Sequence, residues 1–237
     1  MLVATLALLL PVVLFGTAVT ATDDSKPVSP PDSLQEGAGM SIKLPNPKTR
    51  GDVSLEESLV RRRSIRDYSN GQITLGEVSQ LLWAAQGITA HGGARTAPSA
   101  GALYPLEVLA VVGNVDGLPP GAYRYHPKGH ELTRIAPGDL RSPLAGTALG
   151  QSAVRDAAIT VVFTAMYPRT TRKYGDRGIQ YVHMEVGHAA QNVCLQATAL
   201  GLGTVPIGAF HDEQIRRLLN LPNDETPLYL VPVGRPR

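Results

Sequence analysis

One stretch decides the fold: Gly178-Ile-Gln-Tyr-Val-His-Met-Glu-Val-Gly187-His-Ala-Ala-Gln-Asn-Val-Cys194-Leu-Gln-Ala-Thr-Ala-Leu200, followed at once by Gly201-Leu-Gly-Thr-Val-Pro-Ile-Gly208. Ile179, Val182, Val186, Ala189, Ala190, Val193, Ala197 and Leu200 recur at helical spacing and predict a long helix over 178–200. Gly187 inside it costs about 1 kcal/mol of helix propensity, which predicts a close backbone approach at that point. Gly201 reads as the helix stop. Thr204–Ile207 then reads as a short strand. The glycines end a helix instead of opening one after a strand, so this is not a dinucleotide fingerprint. A helix stop accounts for Gly201 but not for Gly203 and Gly208.

Outward from this stretch, short β-branched runs at Leu106–Val112 and Ala157–Ala165 predict buried strands. Ala122–His126 and Glu131–Ile135 predict a hairpin around Pro127-Lys128-Gly129, and Leu228–Val233 a last strand. Ser54-Leu-Glu-Glu57 and Thr74-Leu-Gly-Glu77 are capping boxes; their helices end near Arg62 and at Gly87. Leu140–Leu149 is a weak helix, and Asp212 is expected to cap another running to about Asn220. Strands and helices alternate without regular βαβ units. That favours an α+β layered fold over a doubly wound one.

The 237 residues carry 22 Lys+Arg against 20 Asp+Glu, a net charge of +2, too weak a field to favour nucleic acid. With 43% hydrophobic residues the chain is not mainly disordered. The single cysteine, Cys194, excludes an internal disulfide framework and any Cys-rich zinc or iron–sulfur site. Residues 1–21 read as a signal peptide or membrane anchor: Leu2–Leu14 is nearly all apolar, and Val19-Thr20-Ala21 resembles a cleavage site. No Lys or Arg precedes the apolar run. The expected location is exported, periplasmic or membrane-anchored, or cytoplasmic if the start codon is misassigned. Residues 22–51 form a Pro-rich linker or arm in which Ser41-Ile-Lys-Leu-Pro45 alternates and can dock as a strand. The globular domain is expected over 52–237.

Four segments can carry chemistry. Arg61-Arg-Arg-Ser-Ile-Arg66 offers guanidinium forks that match phosphate oxygens; by itself it equally suits the basic last turn of a helix. Ala97-Pro-Ser-Ala-Gly-Ala-Leu-Tyr-Pro105 would let backbone approach a flat ring closely, although an ordinary loop has the same composition. The glycines of 201–208 form the third segment. Lys173-Tyr174, among Arg169, Arg172 and Arg177, is a candidate acid/base pair or a solvated basic loop. His183 and His188 are five apart, not the four of zinc proteases, so with Glu185 they read as structural. Cys194 reads as a small core residue.

Together, Arg62-Arg-Ser-Ile-Arg66, Pro98-Ser-Ala-Gly-Ala-Leu-Tyr-Pro105, Gly201-Leu-Gly203 through Gly208 and Pro232-Val-Gly-Arg-Pro236 resemble the nitroreductase-like FMN flavoproteins. Within them, Pro98–Glu107 and Lys173-Tyr174 followed by Gly187-His-Ala-Ala-Gln-Asn192 resemble the SagB/ThcOx-type (azoline oxidase) dehydrogenases. The resemblance implies an α+β sandwich around a mixed central sheet with a long central helix, and a homodimer with FMN at its interface. Arg62, Ser64 and Arg66 would hold phosphate and ribityl groups, with Arg63 near the ring's polar edge. Pro98, Ser99, Ala100 and Gly101 would come from the partner and cover the ring. Val205, Pro206, Ile207, Gly208 and Ala209 would run beneath it, the last two offering amides near N5. Arg235 or Arg237 would complete the phosphate clamp.

The implied activity is oxidation of thiazoline or oxazoline rings in a peptide to azoles, with Lys173 and Tyr174 handling the proton. Two alternatives are an NAD(P)H-dependent nitro or quinone reductase and a non-catalytic flavin-binding partner protein. Typical nitroreductases carry Asn where Ala102 stands and Gln where Tyr104 stands. The long C-terminal arm of many relatives is missing after Gly234, which leaves the N-terminal segment as an alternative dimer contact.

Overall fold

The computed structural model describes residues 41–237. The expected signal peptide or anchor, and most of the Pro-rich arm, lie outside the described residues. Among those described, no helix is long and apolar enough to cross a membrane.

A seven-stranded sheet is built from β1 (Ser41–Lys43), β3 (Leu106–Val112), β5 (Gly121–His126), β6 (Glu131–Pro137), β7 (Ile159–Ala165), β8 (Gly203–Thr204) and β9 (Thr226–Gly234). Its order is β1-β6-β5-β3-β7-β9-β8 and every pairing is antiparallel. The parallel component comes from a single bridge, Ser64 beside Thr204 at the far edge, and from a separate pair, β2 (Ile73–Thr74) with β4 (Val115–Asp116). At the other edge, β1 pairs with β6 from Ser41↔Thr133 to Lys43↔Glu131, so the alternating tail of the arm does dock as a strand.

Side chains on a strand alternate between faces, and here both faces are covered. Leu106, Val108, Ala110 and Val112 of β3 pack into a core shared with α2 (Leu75–Gln86) and α6 (Arg177–Ala199). Leu109 and Val111 face the other way, towards α3 (Arg141–Thr147), α4 (Ser152–Asp156) and α7 (Asp212–Leu218). That is why the central strands read as unbroken apolar runs. The fold is the expected α+β sandwich, with α6 as its long helix.

The helix ends show which local signals the chain uses. Thr74 and Glu77 form the full capping box at α2, which stops at Gly87. At α1 (Leu55–Arg61) only half the box forms: Ser54 Oγ accepts from Glu57 N at 3.1 Å, but the Glu57 carboxylate pairs with Arg61 instead. Asp212 is the first residue inside α7, not its cap; His211 holds the cap position. The basic stretch before α6 is not a loop but α5 (Pro168–Tyr174), opened by a proline in its first turn. Gly187 also departs from expectation within the chain: nothing lies within 4 Å of where its Cβ would stand, and it faces outward.

Candidate functional site

The predicted residues gather into two sets. The first is built on the β8 edge. Ile65 N donates to Thr204 O at 3.0 Å beside the Ser64–Thr204 bridge, which lays Arg62–Tyr68 along the sheet. A Cβ on Gly203 would stand 2.8 Å from Ile65 Cγ2, and one on Gly234 would stand 3.0 Å from Tyr68 Cγ. These two glycines therefore admit the segment. Tyr68 anchors it: its buried hydroxyl donates to Ile65 O at 2.8 Å. Arg62, Ser64 and Arg66 make no side-chain hydrogen bond or ion pair among the described residues. Arg63 differs, since its Nη1 donates to Val60 O and Arg62 O and so caps α1.

Four residues further along, the chain turns outward. Val205 and Ile207 are buried, and Ile207 exchanges two backbone hydrogen bonds with Leu230 at 2.7 and 3.0 Å. Pro206 is half-buried, while Gly208 and Ala209 are exposed, and their N–H groups have no acceptor among the described residues. Only Tyr229 comes near Gly208, at 3.9 Å from an added Cβ, so no protein neighbour explains that glycine. Arg235 is already engaged: its Nη2 pairs with Glu77 Oε2 at 2.9 Å and its Nε donates to Gln72 O at 3.2 Å. Arg237 Nε donates to Tyr68 O at 3.0 Å.

The second set joins Pro98–Pro105 to α5. Gly101 has φ +62°, Ala102 +53° and Tyr104 +47°, three left-handed residues in four positions. Such strain persists only where the surroundings enforce it, and it clusters at functional sites. A Cβ on Gly101 would lie 2.7 Å from Tyr174 Oη and 3.0 Å from Lys173 Nζ. Both ends of the predicted acid/base pair thus rest on the glycine that the sequence placed beside a ring. Tyr174 is braced edge-on by Tyr181, with ring centres 5.1 Å apart. Arg169, one helical turn before Lys173, ties α5 to the strained turn by donating to Tyr104 O at 3.1 Å and pairing with Glu107 at 2.6 Å.

Two residues at this site were not legible as such in the sequence. Arg95 stacks its guanidinium 4.2 Å over the Tyr104 ring and donates to Gln86 Oε1 at 3.0 Å. Glu185 is buried, where burial pushes its carboxyl up against hydrogen bonds from Ser99 and Gln86 and the charge of Arg95. The available signals were Arg95 as the one charge in a small-residue loop, and Glu185 as a carboxylate between Val182 and Val186 on the apolar face. His183 bonds Tyr167 at 2.6 Å, and no metal-holding cluster occurs among the described residues. Cys194 is core, its thiol pushed up to about 11 by burial.

A flavin mononucleotide needs cations and hydroxyls for its phosphate, amide donors for its polar ring edge, and a flat, small-residue surface. The first set offers the unengaged Arg62, Ser64 and Arg66 beside two free amides. The second offers Pro98–Ala102 with the Lys173–Tyr174 pair. The donor chemistry fits the nucleotide. Within one chain the sets lie towards opposite ends of α6: Tyr181 touches the second, while Cys194 lies beside Thr204 of the first. At 1.5 Å per residue they are roughly 20 Å apart along the helix.

The chain is 49% identical over 199 residues to MJ1384, a nitroreductase-type protein of Methanocaldococcus jannaschii, covering 84% of this chain and 98% of that one. It is 27% identical over 223 residues to the trifolitoxin operon protein TfxC of Rhizobium leguminosarum bv. trifolii, covering 86% of this chain and 62% of that protein. A crystallised nitroreductase-type protein of Ralstonia eutropha JMP134 superposes with a TM-score of 0.74 at 32% identity, covering 83% of this chain and 90% of the other. The family model described as "Nitroreductase family" matches residues 59–235, from α1 to the end of the sheet, and the chain belongs to that family of oxidoreductases.

Proposed function

We propose that the chain is an FMN-dependent two-electron oxidoreductase, that it works as a homodimer with the cofactor between two copies, and that it carries out the SagB/ThcOx-type dehydrogenation of thiazoline or oxazoline rings in a peptide. One observation carries the reading: the convergence of Lys173 Nζ and Tyr174 Oη on Gly101. Aromatising an azoline removes a proton from one ring carbon and two electrons with a second proton from its neighbour. FMN, when bound, supplies the two-electron acceptor, and oxygen or another acceptor takes the electrons onward. Tyr174 and Lys173 take and hold the proton. Arg62, Ser64 and Arg66, with Arg237 or Arg235, hold the phosphate and ribityl groups, and the Gly208 and Ala209 amides face the ring edge.

The separation of the two sets supports the homodimer. Pairing α6 with a second copy about a two-fold axis carries the Pro98–Tyr104 turn of one chain towards the Arg62–Arg66 segment of the other. Gly187 stands midway between Tyr181 and Cys194 on the outward face, which supports an axis near this residue. Leu59 and Val60 on α1 are exposed by 53% and 71%, Met184 on α6 by 51%, and α1 packs on α6. Exposed apolar side chains on these two packed helices support a covered interface. Export or membrane attachment through residues 2–20 belongs to the same proposal.

An absorbance spectrum of the purified protein tests the cofactor, and a thiazoline-containing peptide tests the reaction. The wild type is expected to be yellow and to form the thiazole. Lys173→Ala and Tyr174→Phe should stay yellow and lose turnover; full activity in both sinks the assignment. A second reading, a nicotinamide-dependent quinone or nitro reductase, is favoured by the 49% relative. Turnover of NADPH with menadione, and none of the thiazoline, selects it.

A further inference from the structure

The proton pair is only as well placed as the turn it rests on, and that turn is held by a closed circuit of side chains. The Ser99 hydroxyl lies beside the buried Glu185 carboxyl, and its oxygen accepts from Tyr104 N at 2.9 Å. Arg95 lies over the Tyr104 ring at 4.2 Å and donates to Gln86 Oε1 at 3.0 Å. Gln86 Nε2 returns to Glu185 Oε1 at 3.5 Å. Glu185 and Gln86 are both buried, on helices that pack face to face in the core, α6 and α2. A rigid helix pair thus reaches out through one carboxyl to a loop whose Gly101, Ala102 and Tyr104 all have positive φ.

We propose that Glu185 is a positioning residue: through Ser99 on one side and Gln86–Arg95 on the other it holds the Ser99–Tyr104 turn in the conformation that seats Gly101 against Lys173 and Tyr174. The inference rests on the proposed role of that pair, but the mechanical part stands apart from it. Left-handed backbone is strained at non-glycine residues such as Ala102 and Tyr104, so the turn relaxes when its tether is cut. A carboxyl that both accepts from Gln86 and meets the Ser99 hydroxyl can be imitated by an amide, but not by a methyl group. The site therefore distinguishes glutamine from alanine. A residue that merely filled core volume would rank the two by size and packing, with no local effect at Tyr104.

The test measures amide hydrogen exchange at Tyr104 and, in parallel, steady-state oxidation of a thiazoline-containing peptide. Glu185→Ala is expected to speed exchange at Tyr104 at least tenfold while strands β3 and β7 exchange as in the wild type. It should also lower kcat at least tenfold with KM within threefold. Glu185→Gln should recover most of both. Gln86→Ala removes the other arm, between Glu185 and Arg95, while leaving the Ser99 acceptor of Tyr104 N in place; it must speed the same amide, which keeps the test open if Glu185→Ala does not fold. Wild-type exchange at Tyr104 in both alanine variants overturns the tether. Faster exchange with unchanged kcat overturns its part in the reaction. A wild type that leaves the thiazoline untouched overturns the proposed reaction instead; the exchange data then decide the tether, and menadione turnover in the same variants decides its effect on activity.

Discussion

Replacing Gly101 with alanine separates the backbone requirement at this position from the chemical one. At φ +62° an added Cβ costs about 1–2 kcal/mol, which lowers Tm by roughly 2–8 °C in a domain of this size. The methyl group would also stand 2.7 Å from Tyr174 Oη and 3.0 Å from Lys173 Nζ. Ordinary contact needs about 3.5 Å, so the phenol oxygen must retreat by roughly 0.7–1 Å. A displacement near 1 Å at a reacting group costs on the order of 100-fold in rate. Gly117 is the matched control: its φ is +77° and nothing lies within 4 Å of an added Cβ. Thermal unfolding and azoline oxidation should be measured on both variants, with flavin content as a check on loading. Both should lose similar Tm, and only Gly101→Ala should lose about two orders of magnitude in kcat. Equal kcat losses in the two variants, or a Gly101→Ala enzyme with wild-type kcat, would refute the idea that contact with Lys173 and Tyr174 governs the reaction.

Other perturbations follow the same logic. Gly187→Leu fills the outward face of α6 at the centre of the proposed two-fold pairing; light scattering should show a monomer, and the protein should emerge without bound flavin. Gly203→Val drives side-chain atoms into Ile65, whose Cγ2 already lies 2.8 Å from an added Cβ, so Arg62–Arg66 should leave the β8 edge and flavin affinity should fall at least tenfold by fluorescence titration. Burial lowers the His130 imidazole below its ordinary value of 6.5, against the hydrogen bond to Pro45 O. The native state therefore binds fewer protons than the unfolded chain in that window. Stability from neutral His130 is complete above pH 6.5 and declines as pH falls through 6.5 towards the folded value; Tm measured from pH 7.5 to 5.5 should fall less steeply in His130→Asn. Glu225 is buried in a bidentate pair with Arg124, at 2.9 and 3.1 Å, and Glu225→Ala should cost about 3 kcal/mol in denaturant unfolding by leaving that guanidinium without its main partner.

Some of this protein is written in local chemistry. The apolar period of 178–200 forces α6, because only a helix puts Val182, Ala189, Val193 and Ala197 on one face. Leu106–Val112 is a strand because a short β-branched run buried on both sides has no other regular conformation. Thr74 and Glu77 satisfy each other's amides wherever the helix packs. The arginine run, the small-residue turn and the Lys173-Tyr174 pair were legible too, as residue types suited to a nucleotide and a proton transfer. Their order along the chain carried the family resemblance.

What no local reading supplied was which groups meet. Gly203 and Gly234 are small because Ile65 and Tyr68 lie on them, and those residues arrive from the far end of the sequence. Lys173-Tyr174 looked like a solvated loop because its helix is one turn shorter than the span over which periodicity becomes visible. Glu57 pairs with Arg61 rather than closing its capping box because the ion pair and the cap compete for one carboxylate. In sequence Glu185 reads as structural, since a lone carboxylate on an apolar face has no local partner; Ser99, Gln86 and Arg95 reach it only after α2 packs on α6. Periodicity and capping act between neighbours in sequence and so can be read from it. Contacts across the core are chosen by the packing of whole elements, and only the folded chain shows them.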